Sequence, residues 1–548
     1  MNQKSMNMDP KSGFNSLTKT FHSLRPPVRL PPEDTPLSAT EYAFSLRANS
    51  PWPDSVAVIN SLTGQRIFYS DFIRKTNSLS AYLQKVIKLS QNDVAFVLSP
   101  NSVQVPILYL SLLSLGVVVS PVNPVSTESE ISSLIQLSKP VIAFATSSTV
   151  HKLPRLKYQT VLIDSPEFNS VMTSSKHQLD PVRVSQSDLA AIMYSSGTTG
   201  KVKGVMLTHR NLIAQVAIAC GSRPQRESPA VMLFTMPYFH MYGFYYCLRS
   251  VALSEVAVVM ERSELKKMLR AVEEFRVTQA ALTPPLVVAA ISKDGLTEGY
   301  DLSSLEGVVC GAAPLGKDSI VAFMAMFPKV VFAQAYGLTE STAGLSRMEG
   351  QEESKHWGSS GRLSWGLEAK IVDPETGDAL PPRKHGELWI RGPIVMKGYI
   401  GDVKATGETL LKDGWMRTGD LCYIDEDGFV FVVDRLKELI KFKGFQVAPA
   451  ELEQLLLSHP EIADAAVVPY PDEEAGEVPM AFVVRQLQSK SKSKSRLIKE
   501  AEIMDFVAKR VSPYKKIRRV EFVNSIPKSP AGKILRKDLI KIALPSRL

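Results

Sequence analysis

The chain has 548 residues, more than one hydrophobic core usually supports, so we expect two or more domains. Hydrophobic residues make up 44% of the chain and charged residues 22%, which fits a globular protein. The four cysteines lie far apart in the sequence, which excludes a disulfide framework and a structural zinc site.

The net charge is +9, because 64 Lys and Arg residues outnumber 55 Asp and Glu residues. This balance is compatible with binding to nucleic acid, to a membrane surface or to a polyanionic small molecule. The chain has no nucleic-acid-binding signature, and its Ser- and Lys-rich tract at residues 486–495 lacks interleaved aromatic side chains. We therefore expect phosphorylated small molecules, and not nucleic acid, as partners.

The first 35 residues are rich in Asn, Ser and Lys and contain a proline cluster. This composition predicts a poorly ordered N-terminal segment. From about residue 50 to 430, β-rich runs such as residues 94–98 and 141–145 alternate with helical stretches. That alternation predicts parallel sheets flanked by helices.

The longest apolar stretch, residues 105–119, is interrupted by Pro106 and Gly116 and is too short to cross a bilayer. It predicts a buried helix that begins at Pro106 and ends at Gly116, followed by a strand. We therefore expect no transmembrane segment. The N-terminus lacks the charged start and apolar run of a secretory signal, so no such signal is expected.

The character of the sequence changes near residue 360. Residues 387–390 and 429–433 are predicted strands separated by Gly-rich turns, which indicates a β-rich subdomain. Beyond residues 434–437, a small basic segment has helices and strands of its own. The predicted fold class is therefore α/β, with parallel α/β subdomains and a β-rich subdomain in a large N-terminal domain, and with a small α+β C-terminal domain.

One short segment, residues 195–204, concentrates hydroxyl groups, glycines and lysines. Bare backbone N–H groups, rotatable hydroxyls and mobile ammonium groups together suit a polyphosphate ligand. A strand is predicted before it at residues 190–194, and a helix after it with Thr208 as N-cap. The alternative is a flexible surface loop. The candidate phosphate-binding residues are Ser195, Ser196, Gly197, Thr198, Thr199, Gly200 and Lys201.

This segment is not a Walker loop, which needs four residues between its glycines and Ser or Thr after the lysine. Only two residues separate Gly197 from Gly200, and Val202 follows Lys201. An ordinary P-loop NTPase or kinase is therefore not expected.

Four further segments carry groups suited to a nucleotide. Residues 334–340 combine an aromatic ring, a hydroxyl and a carboxylate, and residues 415–420 end in Asp420, which suits two ribose hydroxyls. Arg435 lies at the predicted domain junction. Residues 527–533 present Lys533 on a tight turn near the C-terminus.

In this order and spacing, the segments resemble the adenylate-forming superfamily of acyl-CoA synthetases, luciferases and peptide-synthetase adenylation domains. Residues 437–451 and 311–317 are most similar to the plant 4-coumarate:CoA ligases and their peroxisomal relatives. The resemblance covers nearly the whole chain from about residue 35. It implies a large adenylation domain at 36–434, a hinge at 435–437 and a small C-terminal domain at 438–545.

The resemblance implies an ATP-dependent carboxylate–CoA ligase with two half-reactions. A carboxylate attacks the α-phosphate of ATP, which gives an acyl-adenylate and pyrophosphate, and the thiol of CoA then displaces AMP. Positioning and charge stabilisation are the main contributions of the protein to such a reaction. The cosubstrates are ATP and CoA, and Mg²⁺ is the cofactor.

Residue roles follow from the matching motifs. The loop at 195–201 grips the β- and γ-phosphates, Glu340 holds Mg²⁺, and Thr339 touches the α-phosphate. Tyr336 stacks on adenine, and Asp420 binds the ribose hydroxyls. The remaining members of the implied ATP and AMP site are Ala312 and Gln334 at the adenine edge, Ala335, Arg435 beside the ribose, Lys437 at the hinge, and Lys533.

The implied catalytic residues divide between the two half-reactions. Lys533 reaches both the carboxylate and the α-phosphate in the first. Rotation about Lys437 then brings the segment with Lys441 and Gln446 to the adenylate. His240 borders the carboxylate, and Thr339 contributes at the phosphate. The implied CoA contacts are Arg262, Lys443 and Gly444.

Each of these roles has a simpler alternative. Glu340 could be a carboxylate that stabilises the start of a helix, and Asp420 could form a turn. Lys533 taken alone would be an exposed surface lysine. A single histidine in an aromatic run, such as His240, is usually a packed core residue.

The acyl pocket departs from the family pattern. The position of Tyr246 is commonly a small hydroxyl residue, that of Ala335 is commonly Gly, and that of Gly344 is commonly bulkier. A changed pocket shape alters specificity without altering the chemistry. The substrate therefore stays open among hydroxycinnamate-type, fatty and jasmonate-precursor acids. The implied pocket residues are His240, Tyr242, Tyr246, Val309, Ala312, Ala335, Gly344 and Leu345.

Two other function classes remain: a luciferase-like adenylating oxidoreductase, and a non-catalytic protein that keeps the fold. The latter would be expected to lose Lys533 or Glu340, and both are present. The C-terminal tripeptide at 546–548 resembles the Ser-Lys-Leu peroxisomal address. It predicts a peroxisomal location and the peroxisomal import receptor as a partner.

Overall fold

Strands and helices alternate along the computed structural model, which describes residues 7–174, 177–195, 202–223, 225–262, 264–291, 295, 297–311, 313, 315–443, 445–486, 498–529 and 532–544. The strands are β1 (Phe14–Asn15), β2 (Thr20–His22), β3 (Val56–Asn60), β4 (Arg66–Phe68), β5 (Val94–Leu98), β6 (Val118–Pro121), β7 (Ile142–Ala145), β8 (Val161–Leu162), β9 (Leu189–Ser195), β10 (Lys203–Thr208), β11 (Val231–Phe234), β12 (Val256–Val259), β13 (Gln279–Leu282), β14 (Gly307–Cys310), β15 (Val331–Tyr336), β16 (Ser346–Arg347), β17 (Arg362–Leu363), β18 (Glu368–Val372), β19 (Gly386–Arg391), β20 (Gly398–Tyr399), β21 (Met416–Ile424), β22 (Val430–Arg435), β23 (Ile440–Phe442), β24 (Phe445–Val447), β25 (Ile462–Asp472), β26 (Gly476–Arg485) and β27 (Arg519–Phe522).

The helices lie between these strands and cover their faces. They are α1 (Ala39–Ala48), α2 (Tyr69–Tyr82), α3 (Gln104–Ser114), α4 (Glu128–Ser138), α5 (Pro166–Ser174), α6 (His209–Gly221), α7 (Met241–Leu253), α8 (Leu265–Phe275), α9 (Pro284–Ala290), α10 (Lys317–Met326), α11 (Gly350–Glu353), α12 (Val403–Thr409), α13 (Pro449–Leu457), α14 (Glu500–Ala508) and α15 (Arg536–Ala543).

Two large sheets with parallel centres form the main part of the fold. One has the strand order β20-β10-β9-β6-β5-β7-β8 and the other β17-β16-β15-β14-β13-β11-β12-β3-β4. The inner strands of each sheet pair in parallel. In the first sheet, β20, β10 and β9 pair antiparallel at one edge. In the second, β17, β16 and β15 pair antiparallel at one edge, and β3 and β4 at the other. Parallel strands need covering helices on both faces. The predicted α/β class is confirmed.

A third sheet is antiparallel throughout, with the order β1-β2-β18-β19-β21-β22. It contains the two strands predicted for the β-rich subdomain, β19 and β22, on either side of β21. Its other edge comes from the N-terminal segment, since Phe21 pairs with Ala369 and is fully buried.

The prediction that residues 1–35 are poorly ordered is therefore wrong for residues 7–35. Arg25 donates to both carboxylate oxygens of Glu353 at 2.7 Å, and Gln186 donates to the carbonyl oxygens of Pro32 and Thr35. Strand pairing and these hydrogen bonds order a segment whose composition alone is polar and proline-rich.

The predicted buried helix is α3, which begins two residues earlier than expected, at Gln104, and ends at Ser114. Gly116 follows with a φ of +67°, the left-handed conformation that favours glycine after a helix. With 11 residues α3 is too short to cross a bilayer. Among the described residues, no helix combines the length and apolarity that spanning a membrane would need.

The strand and the helix predicted on either side of the candidate phosphate loop are present as β9 and α6. A second strand, β10, precedes α6 and was not predicted. β9 leads into the loop and β10 returns antiparallel to it, with Ser195 opposite Lys203. Helix α6 follows, and Thr208 caps it by accepting the Asn211 N–H at 3.2 Å. β9 and β10 therefore form an antiparallel pair, and residues 196–201 between them lie outside the described residues.

The small C-terminal part has its own sheet, ordered β24-β23-β26-β25 with β27 parallel to β26. Arg536 of α15 ties it together, since the guanidinium lies 3.0 Å from Glu438 and 2.8 Å from Glu453. These contacts connect α15 and α13 with the segment that follows β22. The domain boundaries at 36–434, 435–437 and 438–545 stay predictions.

Candidate active site

The structure brings Ser195, the first residue of the predicted phosphate loop, to the predicted Mg²⁺ carboxylate. Glu340 lies on a short helical turn, Thr339–Ser341, after β15. Ser195, the last residue of β9, donates its hydroxyl to Glu340 Oε1 at 3.0 Å. The other predicted loop residues, Ser196, Gly197, Thr198, Thr199, Gly200 and Lys201, lie outside the described residues.

Asp420, the predicted ribose ligand, is held from two sides. Tyr336 at the end of β15 donates its hydroxyl to Asp420 Oδ2, and Arg435 Nε lies 3.3 Å from Oδ1. Burial raises the pKa of Asp420, and the positive charges of Arg435 and Lys533 oppose that rise. The two partners orient a buried carboxylate beside an aromatic ring, an arrangement suited to a nucleoside.

Gln334 supplies a buried acceptor beside this pair. Its side-chain oxygen has no hydrogen-bond partner among the described residues. A buried amide oxygen without a partner is costly, and the amino group of adenine would satisfy it. Gly311 at the end of β14 lies close by, since a Cβ there would be 3.1 Å from the carbonyl oxygen of Ala335. Ala312, also predicted here, lies outside the described residues.

Lys533, from the small C-terminal part, lies within electrostatic reach of Asp420 and Arg435. The charges of Asp420 and Arg435 act on its ammonium group, and burial followed by Arg435 lowers the pKa of Lys533. A Cβ on Gly532 would lie 3.5 Å from Thr283 and from Pro285, which belong to the large N-terminal part. The turn that carries Lys533 is therefore docked on the large part.

His240 is the N-cap of α7, where its Nδ1 accepts the Tyr242 N–H at 3.4 Å. Burial lowers the pKa of this histidine to about 4. The imidazole is therefore neutral at physiological pH, and it cannot act there as a fixed positive charge toward a carboxylate.

The structure brings Lys441 and Gln446 together. They face each other across the hairpin of β23 and β24, and both are exposed. Lys443 is also exposed at the turn of this hairpin, where it forms an ion pair with Glu474. Arg262 is exposed after β12, and Gly444 lies outside the described residues. The three predicted CoA contacts stay a prediction.

The predicted acyl pocket is lined by α7 and by the ends of β14 and β15. Tyr242 and Tyr246 lie one helical turn apart, with ring centroids 5.8 Å apart, and only Tyr242 is partly exposed. Gln215 of α6 donates to the carbonyl oxygen of Gly344 at 3.2 Å, so its amide lies against that wall. Val309 and Ala335 are half-buried, and Leu345 is buried.

A buried ion pair beside this pocket was not predicted. Arg249 lies 2.9 Å from Glu255 through two N–O contacts, and it donates to the hydroxyl of Tyr246. The hydroxyl of Tyr69 lies within hydrogen-bond distance of the carbonyl oxygens of Ser250 and Glu255, to which it donates. Tyr69 therefore contacts the backbone of the segment that carries the ion pair. Helical spacing of Tyr242, Tyr246 and Arg249 was the only available sequence signal.

Glu340 supplies one carboxylate for a metal ion. Among the described residues, no three or more His, Cys, Asp and Glu side chains form a group that could hold a metal. Mg²⁺ usually takes one or two protein carboxylates and completes its shell with phosphate oxygens and water. A single carboxylate beside a phosphate loop fits that chemistry.

Together these groups define a class of protein. A buried carboxylate beside an aromatic ring, a second carboxylate beside Ser195 and a lysine from the small C-terminal part suit an enzyme that activates acids with a nucleotide. Such activation needs charge stabilisation and orientation.

Comparison with known proteins agrees. Residues 46–400 match the AMP-binding enzyme family, and residues 451–533 match the AMP-binding enzyme C-terminal domain. The chain is 51% identical to 4-coumarate–CoA ligase-like 9 of Arabidopsis thaliana, over 98% of this chain and 97% of that protein. It is 44% identical to peroxisomal OPC-8:0-CoA ligase 1 of the same plant, over 98% of both chains.

Among solved structures, ATP-bound MatB from Rhodopseudomonas palustris superimposes with a TM-score of 0.81 at 24% identity, over 93% of this chain and 99% of that one. This likeness shows the shared fold. The chain belongs to the AMP-binding enzyme family, and within it to the 4-coumarate–CoA ligase-like enzymes. It is an AMP-forming CoA ligase that acts through an acyl-adenylate.

Proposed function

We propose that this enzyme binds ATP and Mg²⁺ in the cleft between Ser195, Tyr336 and Asp420, and there activates a hydroxycinnamate-type, fatty or jasmonate-precursor acid. A carboxylate oxygen of the acid bonds to the α-phosphorus, and the bond to pyrophosphate breaks. The sulfur of CoA then bonds to the acyl carbon, AMP leaves with the bonding electrons, and the thiol proton passes to solvent.

The observation that carries this proposal is the position of Lys533. A lysine from the small C-terminal part lies within electrostatic reach of Asp420 and Arg435. A positive charge there faces the oxygens on which negative charge develops as pyrophosphate leaves. The pair Lys441 and Gln446 is exposed in this arrangement, which supports a role for them after the small domain has rotated about Lys437.

Mg²⁺ is the metal that the donor groups favour. Glu340 offers a hard carboxylate oxygen beside Ser195, and the phosphate groups of ATP would supply further oxygens. When bound, Mg²⁺ neutralises charge on the phosphate oxygens. The protein contributes the orientation of Glu340 and the hydroxyl of Ser195.

The acid binds in the pocket beside Tyr242. Tyr242, Val309 and Gly344 provide an apolar wall, and Gly344 leaves room where a larger side chain would stand. The named relatives include both 4-coumarate–CoA ligase-like proteins and an OPC-8:0-CoA ligase, which supports aromatic and fatty-type acids as candidates. Both relatives named are CoA ligases or ligase-like proteins, which favours a ligase over a luciferase-like oxidoreductase.

A peroxisomal location is part of the same proposal. The C-terminal residues 546–548 lie outside the described residues, but their sequence resembles the address that the import receptor reads. One relative at 44% identity is named as peroxisomal. A fluorescent protein fused to the N-terminus should reach peroxisomes, and removal of residues 546–548 should leave it in the cytosol.

Pyrophosphate release and acyl-CoA formation should be measured across a panel of cinnamic, medium-chain and long-chain fatty, and cyclopentanone-type acids. The proposal expects acid-dependent pyrophosphate release and, with CoA present, an acyl-CoA product. Pyrophosphate release without any acyl-CoA would contradict the CoA ligase function and retain the adenylation step.

Two variants separate the half-reactions. Lys533→Ala should slow acid-dependent pyrophosphate release far more than it slows thioester formation from a supplied acyl-adenylate. Gln446→Ala should do the opposite, because Gln446 is exposed on the hairpin of β23 and β24 in this arrangement. Unchanged pyrophosphate release by Lys533→Ala would show that the assigned role of this lysine is wrong.

A further inference from the structure

Two hydroxyl groups converge on one oxygen of Glu340. Ser195 Oγ and the hydroxyl of Tyr399 each donate to Glu340 Oε1 at 3.0 Å. Tyr399 comes from β20, 59 residues along the chain from Glu340, and is only 7% exposed. None of the motifs in the sequence pointed to this tyrosine.

The two bonds leave the other carboxylate oxygen open. Among the described residues, none donates a hydrogen bond to Glu340 Oε2. A carboxylate accepts on both oxygens, so occupation of Oε1 by two neutral donors turns Oε2 toward a cation. The orientation of Glu340 is therefore set by hydroxyls that would not themselves bind the metal.

Tyr399 is the donor in its contact with Glu340. The phenol O–H donates, and the carboxylate oxygen accepts at 3.0 Å. A hydrogen bond whose acceptor is a carboxylate is charge-assisted, and it is shorter and stronger than a neutral one.

The surroundings of Tyr399 hold its ring in place. Lys203 Nζ lies 4.4 Å from the ring centroid, within range of a cation–π interaction. β20 pairs with β10, with Val205 opposite Tyr399, and the Met396 N–H donates to the carbonyl oxygen of Glu340 at 2.9 Å. The strand that carries the phenol is thus connected to both the β9–β10 pair and the turn of Glu340.

We propose that Tyr399 is a positioning residue that presents Glu340 Oε2 to the Mg²⁺ of bound MgATP. This inference rests on the proposed function, since it takes Glu340 as the metal ligand. Outer-shell partners of metal ligands typically contribute 10- to 100-fold to metal affinity. Tyr399 acts through Glu340 and touches neither ATP nor the acid.

The test is Tyr399→Phe in the full-length enzyme, with binding of MgATP and of metal-free ATP measured separately by isothermal titration calorimetry. We expect MgATP affinity to fall by about tenfold and metal-free ATP affinity to stay unchanged, because only the metal contact is disturbed. Ser195→Ala, which removes the other donor to the same oxygen, should weaken MgATP binding in the same direction.

The matched control is Tyr423→Phe, which removes a phenol hydroxyl from a ring stacked on Phe431 at 4.6 Å. This variant should bind MgATP like the parent enzyme. The inference is overturned if folded Tyr399→Phe binds MgATP as tightly as the parent enzyme. It is also overturned if the variant loses affinity for MgATP and for metal-free ATP to the same extent, because that result indicates a merely structural role. If the parent enzyme binds MgATP but forms no acyl-adenylate with any acid, the proposed function fails while this test of Tyr399 still stands.

Discussion

At the scale of single residues, Gly337 is the described glycine at which an added Cβ would come closest to another atom. It lies between Tyr336 and Glu340, and a Cβ there would be 1.5 Å from the carbonyl oxygen of Ala343. The backbone around Ala343 would have to move to relieve this overlap, and such a movement costs stability. The turn that places the aromatic ring and the carboxylate together therefore depends on glycine.

We expect Gly337→Ala to destabilise the protein by at least about 2 kcal/mol, as overpacking does, and to weaken ATP binding. Urea unfolding and nucleotide titration measure the two effects. Gly407→Ala is the control, since among the described residues nothing lies within 4 Å of its would-be Cβ in α12. That change should stabilise the helix by up to about 1 kcal/mol. Equal stabilities of the two variants would contradict the close approach at Gly337.

His209 makes the stability depend on pH. It is fully buried, its Nδ1 accepts the Ala39 N–H at 3.1 Å, and burial lowers its pKa to about 4. In the unfolded chain the imidazole of His209 binds a proton more tightly, with a pKa of about 6.5. The stability contributed by neutral His209 is therefore present above pH 6.5 and is lost as the pH falls toward 4.

Between pH 7 and pH 5 this group alone should reduce the free energy of unfolding by about 2 kcal/mol. Urea unfolding at a series of pH values measures the slope. His209→Gln should reduce it, and buried His240, whose pKa is also lowered to about 4, should account for part of what remains. His151→Gln, at an exposed histidine, should leave the slope as it is. A slope that His209→Gln does not change would show that another group controls acid stability.

At the scale of elements, α13 is capped by a residue from outside its own domain. Pro449 begins the helix without an N–H, and the next residue, Ala450, donates its N–H to Asp434 Oδ2 at 2.9 Å. Asp434 belongs to β22, on the other side of the predicted hinge at 435–437. Rotation about Lys437 would carry α13 away from this carboxylate.

Asp434→Ala should therefore lower stability by about 1 kcal/mol, as loss of a cap does, and should slow adenylation more than thioester formation. Single-turnover measurements of the two half-reactions test the second part. Thr127→Ala removes the cap of α4 within the large part and should affect stability alone. If both half-reactions of Asp434→Ala slow equally, the cap does not favour one orientation of the small domain.

The elements that sequence reasoning mistook are short or formed by distant pairing. β1 and β2 have 2 and 3 residues, too few for a periodic pattern, and Phe21 is buried only because β2 pairs with β18. β10 was missed because residues 203–208 run directly into the N-cap of α6. Long periodic segments were predicted well, as α3 shows, with an error of two residues at each end.

At the scale of the whole molecule, the two domains touch at a place where they can be joined covalently. An ideal Cβ on Gly316, at the start of α10, would lie 3.9 Å from Cβ of Gln454 in α13. Disulfides have Cβ–Cβ distances near 3.8 Å. The pair Gly316→Cys and Gln454→Cys should therefore form a disulfide in this orientation.

Oxidation of that double variant should preserve acid-dependent pyrophosphate release and reduce acyl-CoA formation at least about tenfold, because the small domain cannot rotate. Reduction should restore both activities, and each single variant should be insensitive to oxidation. The four native cysteines are buried or half-buried, which limits competing disulfides. Full acyl-CoA formation by the cross-linked enzyme would contradict the rotation.

The sequence by itself determined the class of the enzyme and the alternation of strands and helices, and it predicted which segments carry nucleotide chemistry. Each of these features is local in the sequence. For example, glycines, hydroxyls and lysines that follow one another in a short segment can be identified without knowing which other residues they contact. Only the tertiary structure decided that Tyr399 holds Glu340, that Arg249 pairs with Glu255 behind Tyr246, and that Asp434 caps α13. These contacts depend on strand order and side-chain packing, because hydrogen bonds and ion pairs form between whichever groups the fold brings within about 3 Å.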